Sequence, residues 1–185
     1  MREYQAGAAS REMLLATHAR ERTGVTQPDM IWFHDVVERY RDTVFRVAFN
    51  YLRSSADADD VCQDTFVALY RSGRAFEDDE HLKAWLIRVT INRCKSMFRM
   101  PWRRVENIDD YADRLEMPQQ GRELLRVVMS LPEKYRVPVY LFYYEGYRTD
   151  EIAQMLDVPG ATVRTRLARA RKQLATVLGE GGIDD

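Results

Sequence analysis

From Trp32 onward the apolar residues return at intervals of three and four, and strand-like alternation is hard to find anywhere in the chain. In the first run, Phe33, Val36, Val37, Tyr40, Val44, Val47, Ala48 and Tyr51 share one face at 100° per residue, which predicts an amphipathic helix. Gly (9) and Pro (6) are sparse among 185 residues, which favours helix over a turn-rich β fold. The expected fold is therefore all-α.

The punctuation divides this pattern into segments. Ser54-Ser55 ends the first helix, and Ser55 or Asp57 can cap a second. That helix runs to about Arg71, with Asp57, Asp59 and Asp60 at its positive end and Val61, Thr65, Ala68 and Leu69 as its buried stripe. Gly73 and the acidic cluster Glu77 to Glu80 read as a loop before a third helix from about His81 to Arg99, ended by Pro101. Residues 102–121 are polar and net −2, with Pro118 and Gly121, and read as a linker. Helical pattern resumes at Leu124 and stops at Leu131-Pro132. A further helix spans about Glu133 to Glu145, with Pro138 predicted to kink or restart it. Thr149 is a plausible N-cap for a short helix Asp150–Leu156. The turn Asp157-Val158-Pro159-Gly160 leads into a last helix from about Ala161 to Leu178. Residues 1–30 show no sustained period and read as a loosely ordered extension; Met30, directly before the first helix, is a candidate start of translation. The expected organisation is thus an extension 1–30, a helical domain 31–101, a linker 102–121, a second helical domain 122–178 and a tail 179–185.

The net charge of −1 says nothing about partners, but its distribution does. No acid occurs from Lys83 to Arg104, nor from Val158 to Gly179. On the 81–99 helix, with Leu82 at zero, Lys95, Arg88, Arg99 and Asn92 fall at about 220° to 280°, opposite much of the apolar face. Arg and Asn in such a stripe suit contacts to phosphates and base edges. On the last helix Val163, Leu167, Ala170, Leu174, Val177 and Leu178 share one side. Thr162, Thr165, Ala168, Arg169 and Lys172 face away, flanked by Arg164, Arg166 and Arg171. With the segment Thr149–Val158 before it, this helix forms a helix-turn-helix, whose second member enters the DNA major groove. Two basic helices in a near-neutral chain point to two contacts with one polyanion. The competing reading is two solvated faces on a helical adaptor.

Other function classes find little support. GxxxxGK, GxGxxG, HExxH and GxSxG are absent, so no catalytic residue, metal ligand or cofactor is expected. His18, His34 and His81 are isolated. Cys62 and Cys94 lie 32 positions apart, which argues against a disulfide scaffold or zinc site and suits a reducing cytoplasm. They read as small hydrophobes on helices. Tyr140-Leu141-Phe142-Tyr143-Tyr144 reads as core and partner surface. No apolar run reaches the ~18 residues of a membrane span, so no direct membrane insertion is expected.

Four segments in order, DADDVCQDTFVALYR (57–71), HLKAWLIRVTINRCKSMFR (81–99), LPEKYRVPVYLFYYEGY (131–147) and TDEIAQMLDVPGATVRTRLARARKQL (149–174), resemble the bacterial RNA polymerase sigma factors of the extracytoplasmic-function (ECF) group. The resemblance covers roughly Ile31 to Leu178. It implies two helical domains, region two and region four, joined by a flexible linker. It further implies that the acidic helix docks on core polymerase through Asp60, Gln63 and Asp64. The 81–99 helix would read and open the promoter −10 element, and Arg164, Thr165, Ala168 and Arg169 would occupy −35-contacting positions. The linker would thread toward the polymerase active centre. Core polymerase, promoter DNA and an anti-sigma factor are the implied partners. Asp157 and Ala161 stand where the family often has Gly. A stand-alone helix-turn-helix regulator is the alternative, but it has no need of an acidic docking helix.

Overall fold

The computed structural model describes residues 29–98, 105, 107–109, 112 and 118–180. Among them every regular element is helical. Helix α1 spans Met30–Leu52, α2 Ser55–Ser72 and α3 Asp79–Phe98. Helix α4 spans Gln119–Ser130 and α5 Glu133–Val139, followed by a π-helical turn Tyr140–Tyr144; α6 spans Thr149–Leu156 and α7 Gly160–Glu180.

Short polar side chains set the helix starts. The Asp29 carboxylate accepts the Ile31 amide at 3.0 Å and opens α1. Arg53 takes the left-handed conformation (φ 55°) and ends it. Ser54 is then already extended, and its hydroxyl accepts the Asp57 amide at 3.3 Å. The cap of α2 is thus Ser54, one residue before the earlier of the two sequence candidates, Ser55 and Asp57, because the left-handed residue shortens the break. The Asp78 carboxylate takes the His81 amide at 2.7 Å, so Asp79 and Glu80 become the first turn of α3 and not loop. Acids there face the positive end of the helix dipole. These three helices enclose Val36, Tyr40, Val44, Cys62, Phe66, Leu69, Leu82 and Leu86. Thr65 and Thr90 are fully buried inside the bundle, each donating its hydroxyl to a carbonyl four residues back at 2.8 Å.

In the second group, Leu131-Pro132 separates α4 from α5. Pro138 lies inside α5, and the chain widens into a π-turn two residues later. The expected break takes this form because proline removes one amide donor and crowds the carbonyl four residues back. At α6, Arg148 is the capping position and Thr149 the first helical residue, unlike the sequence expectation. The Glu151 carboxylate accepts the Arg148 amide at 2.7 Å, so the cap bond comes from inside the first turn. Asp157 stands left-handed (φ 56°) at the end of α6, and the Pro159 carbonyl accepts the Thr162 and Val163 amides to start α7. Ile152, Ala153, Leu156, Val163, Leu167 and Ala170 pack between α6 and α7.

The two groups do not stand apart. One continuous core runs from Val47, Leu52 and Ile91 in the first to Leu131, Val137, Ile152 and Val163 in the second. In the segment between them, Ile108 (7% exposed) and Ala112 (1%) are buried, and Asp109 pairs with Arg126 of α4. A segment read as polar linker is therefore anchored at these positions, by apolar residues four apart. Its last residues, from Gln119, are already helical.

Candidate nucleic-acid interface and docking face

Helix α3 buries Leu82, Leu86, Ile87, Ile91 and Cys94 and leaves Arg88 and Asn92 exposed on its other side. Lys95, from the same stripe, is half-buried: its ammonium donates to the Leu156 carbonyl of α6 at 2.7 Å. That corrects the reading of an open stripe at this position, because the second helical group packs over it. Arg99, the fourth member, lies outside the described residues. Arg93 is exposed and pairs with Asp64 across 3.5 Å.

Helix α7 turns Val163, Leu167 and Ala170 inward. Arg164, Thr165, Ala168, Arg169 and Lys172 are exposed, and Thr162 and Arg166 half-buried. The Thr165 hydroxyl donates back to the Ala161 carbonyl at 2.9 Å. Arg164 lies 4.0 Å from Asp150, close enough for a weak surface pair. Arg169, beside the Tyr135 hydroxyl, lowers its pKa. Arg171 donates to the Tyr143 hydroxyl at 3.3 Å. The basic side of α7 thus rims an exposed face whose side chains are held by neighbours in α5 and the π-turn.

Asp60, Gln63 and Asp64 are all exposed on α2. Their three- and four-residue spacing puts them on one side of the helix. The neighbouring Asp59 lies 3.9 Å from Arg41. Opposite them, Val61, Thr65 and Leu69 are buried, so the acidic side points to solvent by necessity.

The structure also assembles polar groups that the sequence pattern did not single out. Arg136 is 2% exposed. Its guanidinium donates to the Met129 and Leu131 carbonyls at 3.2 and 2.7 Å, and to those of Asn50 and Tyr51 at the end of α1. Lys83 pairs with Glu145 at 3.0 Å, with the Glu145 side chain only 5% exposed. Lys83 also lies over the Tyr147 ring. The Tyr140 hydroxyl donates to Glu145 at 2.7 Å, and burial, then that carboxylate, pushes its pKa up. Arg46 donates to the Tyr144 hydroxyl. The one sequence signal was an arginine inside the apolar run Tyr135 to Val139, all five of which are buried. Beside these contacts lies an apolar groove of about 1070 Å³, lined by Phe49, Leu125, Val128, Tyr140, Tyr144 and Leu174 among others.

Among the described residues no cluster of His, Cys, Asp and Glu could hold a metal ion. Among them, too, no helix is long and apolar enough to cross a membrane. Neither cysteine forms a disulfide, and both are buried.

Residues 36–104 match the family described as Sigma-70 region 2, and residues 121–174 that described as Sigma-70, region 4. The chain is 32% identical over 155 residues to the ECF RNA polymerase sigma factor SigM of Mycobacterium tuberculosis, covering 82% of this chain and 79% of SigM. It is 31% identical over 169 residues to the ECF RNA polymerase sigma-E factor of Haemophilus influenzae, covering 81% and 89%. Among solved structures, CnrH in complex with the cytosolic domain of CnrY superposes with a TM-score of 0.63 at 27% identity, over 91% of this chain and 96% of CnrH. The sigma factor RpoE of Bartonella quintana, in complex with the anti-sigma factor NepR, shares the fold with a TM-score of 0.61 at 19% identity, over 83% and 98%.

Proposed function

Since the chain belongs to the ECF group of RNA polymerase sigma factors, we propose that its two helical groups divide the work of promoter recognition as follows. As a sigma factor it binds core polymerase and directs it to promoters. In this division residues 31–101 form the region-two domain, 122–178 the region-four domain, and 102–121 the linker. The acidic side of α2 docks on core polymerase through Asp60, Gln63 and Asp64. An acidic, exposed face with an apolar back suits a basic partner and sets the rate of encounter. On α3, Arg88 and Asn92 contact the −10 element as it melts, joined by Lys95 when it leaves the Leu156 carbonyl and by Arg99, which follows α3 in the sequence; unstacked bases and phosphates supply the binding energy. The exposed side of α7, with Thr162, Arg164, Thr165, Arg166, Ala168, Arg169 and Lys172, reads the −35 duplex in the major groove.

The observation that carries this reading is the pairing of two acid-poor helix faces, on α3 and α7, with a separate acidic face on α2. A stand-alone DNA binder needs only the α7 face. An anti-sigma factor is the third partner of this reading; the similar CnrH is solved with a protein bound. The chain is not itself an enzyme in this view, and it acts in the cytoplasm beside the chromosome. The test is a pull-down with core polymerase. Asp60→Lys with Asp64→Lys is expected to lose core association with helical content unchanged, because both residues are exposed and the Asp64–Arg93 pair is a surface contact. Core binding at the wild-type level by this folded variant would overturn the assignment of α2.

A further inference from the structure

We infer that Asp150, on the first helix of the helix-turn-helix, is a specificity-determining positioning residue: its carboxylate aims the Arg164 guanidinium at one base pair, in space that Gly160 leaves open. The inference rests on the reading of α7 as the −35 face. No acid occurs from Val158 to Gly179, so α7 carries none near Arg164. Helix α6 supplies one. Asp150 stands in its first turn, with Oδ1 4.0 Å from Arg164 Nη1. Gly160, the first residue of α7, lies beside both. A methyl group on Gly160 would sit 3.2 Å from Asp150 Oδ1 and 3.4 Å from Arg164 Nη1. The first distance is tighter than ordinary van der Waals contact and the second is at its limit. The backbone at this position does not call for glycine: among the described residues the left-handed glycines are Gly73 and Gly146. What Gly160 provides is room for the pair.

Stability does not explain this pair. The Arg164 and Asp150 side chains are 62% and 74% exposed, and at 4.0 Å such a contact contributes little. The cap bond of α6 falls to the neighbour Glu151, whose carboxylate accepts the Arg148 amide. On a face that meets phosphates, a carboxylate also lowers affinity for DNA of any sequence. Little gain in stability and a cost in affinity are the marks of discrimination, which is a difference between complexes and is obtained by weakening the wrong ones. The geometry supplies the means. An arginine on its long stem reaches phosphates and base edges alike, and a phosphate contact carries no sequence information. Asp150 approaches from the Nη1 side, which leaves the Nε–Nη2 edge as a fork for the O6 and N7 of a guanine. Its charge also repels the phosphates that would draw Arg164 aside. Asp150 thus gives up some attraction to every duplex and makes Arg164 a reader of one base pair.

The test uses the full chain in complex with core polymerase and a pool of duplexes randomised over the −35 region, with the bound members sequenced. Arg164→Ala marks the base pair that Arg164 reads, as the position whose preference collapses. Asp150→Asn is expected to lose about tenfold of the preference at that same position. It should also bind the rest of the pool more tightly and steepen the salt slope by about one, as the freed arginine takes a phosphate. In the Arg164→Ala background, Asp150→Asn should alter no preference further. Gly160→Ala keeps every charge and suits a helix, so circular dichroism and the unfolding midpoint should show no loss, yet the preference at that position should fall several-fold. This variant also carries the test if Asp150→Asn loses helicity, because Asp150 faces the positive end of α6 as well. If Asp150→Asn tightens binding to all sequences equally with the preference intact, or if Gly160→Ala discriminates as wild type does, the positioning role is overturned. If Arg164→Ala leaves every preference in place, the −35 reading of Arg164 falls, and the inference with it.

Discussion

Replacing Arg136 with Ala tests the energetic logic of the fold at the most buried cation among the described residues. The guanidinium is 2% exposed and makes four hydrogen bonds to main-chain carbonyls, two near the end of α4 and two near the end of α1. A hydrogen bond to a charged group is worth about 1.5–3 kcal/mol, so a naive sum reaches ~6–12 kcal/mol. That sum overshoots, because truncation also removes the desolvation penalty of the cation. The net is the cost of orphaning buried carbonyls and losing the packed stem, about 3–5 kcal/mol. With a urea slope of about 2 kcal/mol per molar, the midpoint should fall by roughly 1.5–2.5 M. Arg136→Lys keeps the charge, but one compact ammonium cannot reach the carbonyls at the ends of both α1 and α4, so about half the loss is expected. Equilibrium unfolding followed by circular dichroism measures both. A loss under about 1 kcal/mol for Arg136→Ala, or a Lys variant as stable as wild type, would refute the claim that this fork ties the two groups.

Arg169→Ala should weaken binding to a cognate −35 duplex by about 1–3 kcal/mol and relax preference at one base pair, read by titrating singly substituted duplexes; a uniform loss over all of them would make Arg169 a phosphate contact. Arg88→Ala should weaken binding to a pre-melted −10 template evenly across sequences and reduce the salt slope by about one, and an unchanged slope would remove Arg88 from the interface. Burial pushes the Cys62 thiol up to about 11, with nearby acids adding to the shift and Arg41 opposing it. The native fold therefore holds the proton more tightly than the unfolded chain does, whose thiol titrates near ~8.5. Stability from this group is complete below that pH and falls as pH rises toward the folded value. Cys62 should resist a thiol reagent at pH 8 until urea unfolds the protein, and rapid labelling of the native state would contradict its burial.

The amino-acid sequence by itself determined the helices and which side of each faces inward. The three-four spacing of Val36, Tyr40, Val44, Val163, Leu167 and Ala170 is a local property, because burying an apolar stripe requires a helix whatever it packs against. For the same reason the acidic side of α2 and the basic side of α7 were legible before any fold. Helix starts were less so: Ser54 and Arg148 took cap positions assigned to neighbours, and Asp78 caps a helix that begins at Asp79, two residues before the expected His81, since a cap depends on where the preceding residue leaves the chain, as the left-handed Arg53 does. The relation between the two helical groups was decided only by the tertiary structure. Lys95 looked identical in sequence to a solvent-facing stripe residue, and the apolar run around Arg136 did not name its partners, yet one is capped by the Leu156 carbonyl and the other cradled by carbonyls from α1 and α4. No periodicity encodes such contacts. Main-chain carbonyls carry no residue identity, and partners 61 and 86 positions apart meet only once both groups have folded and docked.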